Sequence, residues 1–190
     1  MRSRTTPDLP GRCPRCWVRQ PGCVCAVVPT LRTRTRLVVI RHSKEQWKTT
    51  NTARLAALAL PDLEIVEYGA PGKPFDIESL KLETPWILFP DASPAPRADR
   101  PATLVVLDGT WAQARQMAHR NPALARMPRL SLPPPAVNPT RLRVPPHADG
   151  MATIEALGHA LTALEGPETG RALLTLHDAY VAAVLKARTG

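Results

Sequence analysis

A chain of 190 residues is long enough to bury a substantial core, and it fits one domain with a small appendage. Its 44% apolar and 22% charged residues exclude a disordered or fibrous protein. No apolar run approaches the roughly 20 residues that a helix needs to cross a bilayer. Because the first residues carry charge without a following apolar stretch, we predict no secretory signal, no membrane partner and a cytoplasmic location.

The charge is strongly positive and is concentrated near the amino terminus. Lysine and arginine total 25 against 16 acidic residues, which gives a net charge of +9. Residues 1–36 hold eight arginines and a single aspartate, and the planar guanidinium suits phosphate. We therefore predict a polyanionic partner, most simply a nucleic acid. A bias of the source genome toward arginine is the alternative, although it leaves the clustering unexplained.

All the cysteines lie within thirteen residues, with the spacing C-x2-C-x6-C-x-C. Without an export signal, disulfides are unexpected and metal binding is the leading interpretation. Four thiolates match the tetrahedral preference of Zn²⁺, and a site with no open ligand position would be structural. A redox pair, a labile iron–sulfur site and four unrelated buried thiols are the alternatives. The predicted ligands are Cys13, Cys16, Cys23 and Cys25.

Strand-like and helix-like segments alternate through the rest of the chain. The predicted strands are Arg36–His42, Glu64–Tyr68, Trp86–Phe89, Leu104–Leu107 and the short Leu130–Leu132. The predicted helices are Thr50–Leu60 behind a threonine cap, Trp111–His119 with its stop at Asn121-Pro122, Thr153–Glu165 and Gly170–Arg188. This alternation predicts an α/β fold with a mostly parallel sheet flanked by helices.

We predict two parts in the chain: a basic arm with a small four-cysteine zinc module over 1–35, and an α/β domain over 36–190. Two proline-rich segments, Pro90–Pro101 and Pro133–Pro146, form long loops in that domain. Such loops at the ends of parallel strands tend to be functional, and a stiffened connector is an equal alternative for the first. The apolar face of the last helix can pack internally or against a second copy, which predicts a monomer or a homodimer.

The turn after the strand Leu104–Leu107 carries the most chemical information. The strand ends in Asp108, Gly109 permits a tight turn, and Thr110 opens a helix. At the carboxyl edge of a parallel sheet, this places a carboxylate, a hydroxyl and free helix N–H groups where ligands bind. The alternative is structural, with Asp108 or Thr110 capping the helix and Trp111 packing against the sheet.

Four ordered motifs in this chain resemble the DTW domain family. They are Lys44-Glu45-x-x-Lys48-x-x-Asn51-Thr52-Ala53-x-Leu55, Asp108-x-Thr110-Trp111, Arg141-Leu142-Arg143 and Ala152-Thr153-Ile154-Glu155-Ala156. The cysteine cluster is similar to that of the bacterial branch. The resemblance covers about Cys13 to Leu164, and Ser43 departs from it where the family usually has proline.

The resemblance implies a tRNA-uridine aminocarboxypropyltransferase with S-adenosylmethionine as donor, tRNA as partner and a structural Zn²⁺. Members of the family transfer the 3-amino-3-carboxypropyl group to N3 of a uridine and release methylthioadenosine. Their fold is similar to the knotted fold of SPOUT RNA methyltransferases, so this chain is expected to be SPOUT-like and can be knotted. An RNA methyltransferase of similar fold and a noncatalytic zinc-containing RNA-binding module are the alternatives.

The predicted catalytic residues are Asp108, Thr110 and Glu155. A carboxylate can take the N3 proton, with Asp108 the first candidate and Glu155 the second, and either can instead hold the donor's α-amino group. Glu155 also has a purely structural interpretation at a helix start, and Thr110 can bond the donor or its own helix. The predicted donor-binding residues are Phe89, Pro90, Leu107, Asp108, Gly109, Thr110, Trp111, Leu130, Ser131, Leu132 and Thr153. The predicted RNA-binding residues are Arg12, Arg15, Arg19, Arg36, His42, Lys48, Asn51, Arg141 and Arg143.

Overall fold

The computed structural model describes residues 9–89, 100–133, 142 and 150–189. Its strands form a five-stranded sheet in the order β2-β1-β4-β3-β5, and every neighbouring pair is parallel. The strands are β1 (Arg36–His42), β2 (Glu64–Tyr68), β3 (Pro85–Leu88), β4 (Thr103–Asp108) and β5 (Arg129–Leu130). The predicted α/β fold with a parallel sheet is confirmed, and the knot stays a prediction.

Helices cover both faces of the sheet. In β1, Leu37 and Val39 join the core cluster formed with α1, α4 and α5, whereas Val38 and Ile40 join the cluster formed with α2 and α3. Successive strand residues point to opposite faces, so β1 is apolar at every interior position but the buried Arg41. The α-helices are α1 (Ala53–Ala59), α2 (Trp111–Arg120), α3 (Pro122–Arg126), α4 (Thr153–Glu165) and α5 (Pro167–Thr189).

The predicted helix over Thr50–Leu60 is wrong at its start. The helix α1 begins at Ala53, and the Thr52 side chain does not cap it. Instead, the Thr52 hydroxyl accepts a hydrogen bond from the Ile154 N–H at 3.3 Å, in the first turn of α4. Thr52, a residue type that often caps helices, therefore makes a hydrogen bond between two segments that are distant in sequence.

Other bounds differ from the prediction as well, most clearly those of β5, and the structure adds the helix α3. The strand β5 covers Arg129–Leu130 rather than Leu130–Leu132, because its pairing with β3 runs only as far as Leu88 opposite Leu130. The Asn121-Pro122 pair ends α2 as predicted, and it also starts α3. The Asn121 side chain accepts hydrogen bonds from the next two free N–H groups, and proline is favoured at a first helical position.

The helices α4 and α5 pack at very close range through glycines. A Cβ placed on Gly170 of α5 would lie 2.0 Å from the Thr162 Oγ1 atom and 2.5 Å from the Gly158 carbonyl oxygen of α4. The apolar face of α5 is buried in the same contact, including Leu173 and Tyr180. This face therefore packs internally. Within the described residues, no helix has the length and apolar character needed to cross a membrane.

We expect the Gly170→Ala substitution to destabilise the fold by about 1–3 kcal/mol, because backbone atoms of α4 block the added methyl group. Helix propensity alone would favour alanine by about 1 kcal/mol. Urea unfolding of this variant and of Thr175→Ala, at an exposed position of the same helix, measures the difference. An alanine variant as stable as the wild type would contradict the close packing.

At the amino edge of the sheet, the Glu165 carboxylate receives hydrogen bonds from several donors. Its oxygens accept from the Thr35 N–H at 3.0 Å, from the Thr35 hydroxyl at 2.8 Å and from the Arg34 N–H at 3.3 Å. Arg100 adds an ion pair at 3.0 Å. Burial opposes the charge, but these bonds prevail and hold the pKa of Glu165 below its ordinary value.

A carboxyl group with a lowered pKa in the folded state stabilises the fold above its unfolded pKa, and that contribution disappears as the pH falls through the folded pKa. We therefore expect Glu165→Gln to lose about 1–3 kcal/mol of unfolding free energy at neutral pH. The difference in unfolding free energy between this variant and the wild type should become smaller below pH 4.5, the ordinary pKa of a glutamate carboxyl group. Chemical denaturation across pH tests this, with the exposed Glu83→Gln as control. A gap that stays constant with pH would contradict it.

Candidate active site

The carboxyl ends of β1 and β4 meet at one edge of the sheet. In the parallel register, Arg41 lies opposite Asp108, and Ile40 lies opposite Leu107. β3 ends two positions before the end of β4, at Leu88 opposite Val106, and Phe89 follows it. Ligands of open α/β sheets bind outside this edge, as the sequence predicts for the turn that starts at Asp108.

Asp108 is the central group at this edge, and it is only 4% exposed. Its Oδ1 atom accepts a hydrogen bond from the Thr153 hydroxyl at 2.6 Å, and its Oδ2 atom accepts one from the Asn51 amide at 2.6 Å. Burial raises the pKa of Asp108, and the bonds from Thr153 and Asn51, together with the charge of Arg41, only partly offset that rise. Three segments far apart in the chain therefore hold one buried carboxyl group in a fixed orientation.

Thr110 caps the amino terminus of α2. Its hydroxyl accepts a hydrogen bond from the Gln113 N–H, and the Gln113 side chain accepts one from the Thr110 N–H, which is a capping box. A Cβ on Gly109 would lie 3.0 Å from the Gln113 Cβ atom, so the tight turn favours glycine. Of the two roles considered for Thr110, the structure displays the capping role, while the residue itself stays exposed beside Asp108.

Glu155 is buried in the first turn of α4. Its Oε2 atom accepts a hydrogen bond from the Ala152 N–H at 3.1 Å, so the carboxylate satisfies a free donor at the start of the helix. That helix start carries Thr153, whose hydroxyl binds Asp108. Glu155 thus stabilises the helix start that carries Thr153, the residue bonded to Asp108.

Aromatic side chains lie beside this edge. The rings of Phe89 and Trp111 stack with centroids 6.2 Å apart and planes 14° apart, and the Arg129 guanidinium lies 5.2 Å from the Phe89 centroid. The predicted donor-binding residues Leu107, Leu130, Ser131 and Leu132 lie at or beyond the ends of β4 and β5, with Leu130 buried and Ser131 exposed. Pro90 lies outside the described residues.

The loop between β1 and α1 contributes a mixed set of predicted RNA-binding residues. His42 is half-buried, and burial, together with the charges of Lys44 and Lys48, lowers its pKa. Lys48 bonds the buried Glu45. Asn51 differs most from the expectation, because it is buried and its amide binds Asp108 rather than facing solvent.

The described arginines of the predicted RNA-binding set lie in two different parts of the structure. Arg36 lies at the opposite, amino edge of the sheet, where it bonds the Leu80 and Lys81 carbonyls and the Glu64 carboxylate. The other described arginines of this set lie on the cysteine module, with two of them exposed: Arg12, Arg15 and Arg19. Arg141 and Arg143 lie outside the described residues.

The cysteine sulfurs are arranged as a metal site requires. All four Sγ atoms lie within 4.8 Å of one another, with the Cys13–Cys25 pair at 3.6 Å and the Cys16–Cys23 pair at 3.7 Å. A tetrahedral zinc site with bonds of about 2.3 Å has sulfurs roughly 3.8 Å apart. The four side chains therefore fit a tetrahedral ion and could bind a metal.

The module packs on α1 through residues that the sequence did not single out. The Arg54 guanidinium donates to the Arg15 carbonyl at 2.7 Å and to the Cys16 carbonyl at 3.1 Å, and it lies 4.0 Å from the Trp17 ring centroid. Trp17 stacks in turn on Trp47. The sequence signal for this contact is weak, because Trp47 and Arg54 lie in the family-like motif of residues 44–55, whereas Trp17 lies about thirty residues earlier.

These features describe a parallel α/β protein with a buried carboxyl group at the carboxyl edge of its sheet and four cysteines that could bind a metal. The chain belongs to the DTW domain family, whose model matches residues 11–185, and the resemblance is confirmed. It is 28% identical to tRNA-uridine aminocarboxypropyltransferase 2 of Drosophila melanogaster, over 90% of this chain and 74% of that protein. Proteins of the same name from Mus musculus and Macaca fascicularis are 29% and 26% identical, over 80% of this chain. The alignments cover 56% of those two proteins. No solved structure gives a significant match.

Proposed function

We propose that this chain transfers the 3-amino-3-carboxypropyl group of S-adenosylmethionine to N3 of a uridine in tRNA. Membership of the DTW domain family and the names of the relatives support a transferase that modifies tRNA. The observation that carries the proposed chemistry at N3 is Asp108, a buried carboxyl group with a raised pKa at the carboxyl edge of the sheet.

In the proposed reaction, N3 of the uridine gives its proton to Asp108 and uses the remaining electron pair to form a bond to Cγ of the donor's methionyl chain. The Cγ–S bond breaks, its electron pair goes to the sulfonium sulfur, and neutral methylthioadenosine leaves. The sulfonium carries three carbons, and the one that reacts is the one held in line about 3–3.5 Å from the nucleophile.

The surroundings of Asp108 support its role as the base. A carboxylate with a raised pKa takes a proton more readily than an exposed one. Its hydrogen-bond donors, Thr153 and Asn51, are neutral and orient the carboxylate, and burial outweighs the lowering of its pKa by these bonds and by the charge of Arg41. We assign Thr110 and Glu155 to positioning, because each satisfies a helix start next to Asp108 or Thr153.

The donor is proposed to lie against the ends of β3, β4 and β5. The stacked pair of Phe89 and Trp111 supports a planar ring at this point, which the adenine of the donor can provide. The RNA approaches from the side of the cysteine module and the β1–α1 loop, with Arg15, Arg19 and Lys48 near its phosphates. Four thiolates would hold a structural Zn²⁺ that supplies folding energy to that module.

One assay distinguishes the proposal from its alternatives. Purified protein is incubated with tRNA and S-adenosylmethionine that carries its label either in the methyl group or in the carboxyl group. We expect carboxyl label in the RNA and methyl label in released methylthioadenosine. Methyl label in the RNA would identify a methyltransferase instead. RNA binding without transfer of either label would identify a noncatalytic module.

A further inference from the structure

Trp47 is unusual because a large aromatic side chain is left in solvent. Among the described residues, the large hydrophobic side chains that are exposed are Trp47, at 49%, and Val27, at 59%. An indole gains more from burial than almost any other side chain, so an exposed one often marks a contact with a partner. The neighbouring Trp17 is buried, and so are Val18 and Val24 of the same module.

The exposed indole is held in a defined orientation. The Trp17 and Trp47 rings are stacked, with centroids 6.4 Å apart and planes 18° apart. Trp17 is itself fixed by the cysteine module, because its N–H donates to the Cys13 carbonyl at 2.9 Å and its indole N–H donates to the Pro14 carbonyl at 3.1 Å. Its φ of 61° is rare for a bulky residue, so these contacts hold it in an unfavourable conformation.

The surroundings of Trp47 are cationic. Lys44 and Lys48 flank it in the sequence of the β1–α1 loop, where Lys48 also pairs with Glu45, and the Arg54 guanidinium lies 4.0 Å from the ring centroid of its stacking partner Trp17. Arg15 of the module is exposed, and Arg54 binds its carbonyl. A rigid aromatic face surrounded by positive charge is the combination that binds single-stranded nucleic acids, since the bases stack and the phosphates are neutralised.

The position of Trp47 places this surface close to the candidate active site. Asn51, which binds Asp108, is four residues further along the chain. Even a fully extended backbone would separate the two Cα atoms by only about 14 Å. A nucleotide next to the target in the same strand can therefore reach Trp47.

We propose that Trp47 is a stacking platform for an unpaired base of the RNA substrate, adjacent to the uridine that is modified. This inference rests on the proposed function for the identity of the substrate. The stack of Trp47 on Trp17 assigns a second role to the cysteine module: it fixes the platform against the β1–α1 loop. Because every base has an aromatic face, the platform contributes affinity and positioning without reading the base.

The test compares Trp47→Leu, which keeps an apolar side chain on Trp17, with Trp47→Phe, which also keeps an aromatic face. Binding of unfractionated tRNA and of a short oligouridylate is measured for both, with the exposed Val27→Ala as control. We expect the leucine variant to bind roughly 5- to 100-fold more weakly, and the phenylalanine variant to stay close to the wild type. The slope of log affinity against log salt should not change in Trp47→Leu, whereas Lys44→Ala should lower its magnitude by about 0.7.

Equal binding by Trp47→Leu and Trp47→Phe would overturn the platform, and so would a drop in the salt slope of Trp47→Leu. If sedimentation instead shows that Trp47→Leu changes the oligomeric state while RNA binding stays intact, the indole covers a contact between two copies and the proposal is wrong. The label-transfer assay separates this result from the proposed function. Weak RNA binding by Trp47→Leu without transfer by the wild type would sustain the platform and reject the reaction.

Discussion

The Asp108→Asn variant is expected to lose transfer activity by about 100- to 10,000-fold while its affinity for tRNA stays close to that of the wild type. The activity falls because an amide cannot take the N3 proton, and positioned bases contribute rate factors of this size. The fold should tolerate the change. The new amide oxygen can accept from the Asn51 side chain, and the new NH₂ group can donate to the Thr153 hydroxyl.

The control for this variant is Asp178→Asn, which removes the same charge from an exposed position of α5. Activity is measured as single-turnover transfer with enzyme in excess over tRNA, and affinity is measured separately by filter binding. Full turnover by Asp108→Asn would show that Asp108 is not the base.

The pH profile gives an independent reading of the same group. Burial raises the pKa of Asp108 above its ordinary 3.8, so the acid limb of transfer should lie above that value. The hydrogen bond from Thr153 lowers this pKa, and Thr153→Val removes it. We therefore expect the acid limb of Thr153→Val to move to higher pH, because the carboxyl group then holds its proton more tightly. An unchanged limb would mean that another group controls the profile.

Removal of the metal is expected to have the largest effect on stability. Cys13 and Cys16 are buried in the same core cluster as α1, α4 and α5, so loss of the ion disturbs the main core as well as the module. A structural zinc contributes on the order of 10 kcal/mol to a site of this kind. Each kcal/mol lost lowers Tm by about 2–4 °C in a chain of this length. We therefore expect Cys23→Ser, or prolonged chelation, to lower Tm by roughly 20 °C or more.

The measurement combines calorimetry with metal analysis of the purified protein. One zinc ion per chain is expected, with none retained after chelation, and restored melting after zinc is added back. The exposed Val27→Ala variant, two residues after the cluster, serves as the control. As zinc is removed, RNA binding should be lost before binding of S-adenosylmethionine, because the donor is proposed to bind at the ends of the strands rather than on the cysteine module. Unchanged melting after complete removal of the ion would contradict a structural role.

The sequence correctly predicted those strands and helices whose apolar pattern is contained in a contiguous stretch of residues. β1 matches the predicted Arg36–His42 because a central parallel strand covered on both faces is a continuous apolar run. α4 matches Thr153–Glu165 because its apolar periodicity extends over a full 13 residues. α3 was missed because five residues make little more than one turn, which is too short to establish a period. For the same reason, Asn121-Pro122 was predicted to end α2, whereas its second role as the start of α3 was missed.

The side-chain network of the site could be predicted only in part. The turn after β4 identified Asp108 from its place at the end of a buried strand. The roles of Asn51 and Thr153 depend on hydrogen bonds to Asp108 across 57 and 45 residues of sequence, which no local pattern encodes. The predicted threonine cap of α1 failed for the same reason, since the hydroxyl of Thr52 accepts from the Ile154 N–H, 102 residues away in sequence. Two adjacent polar residues of one motif therefore make different tertiary contacts: Asn51 binds Asp108, and Thr52 binds the Ile154 N–H.

A crystal structure of the protein with bound S-adenosylmethionine tests the central claim most directly. We predict that the adenosyl portion lies at the ends of β3, β4 and β5, near the Phe89–Trp111 stack. The methyl group should point away from Asp108, and Cγ of the amino-acid chain should face Asp108. A donor bound at the other edge of the sheet, or one whose methyl group rather than Cγ faces Asp108, would contradict it.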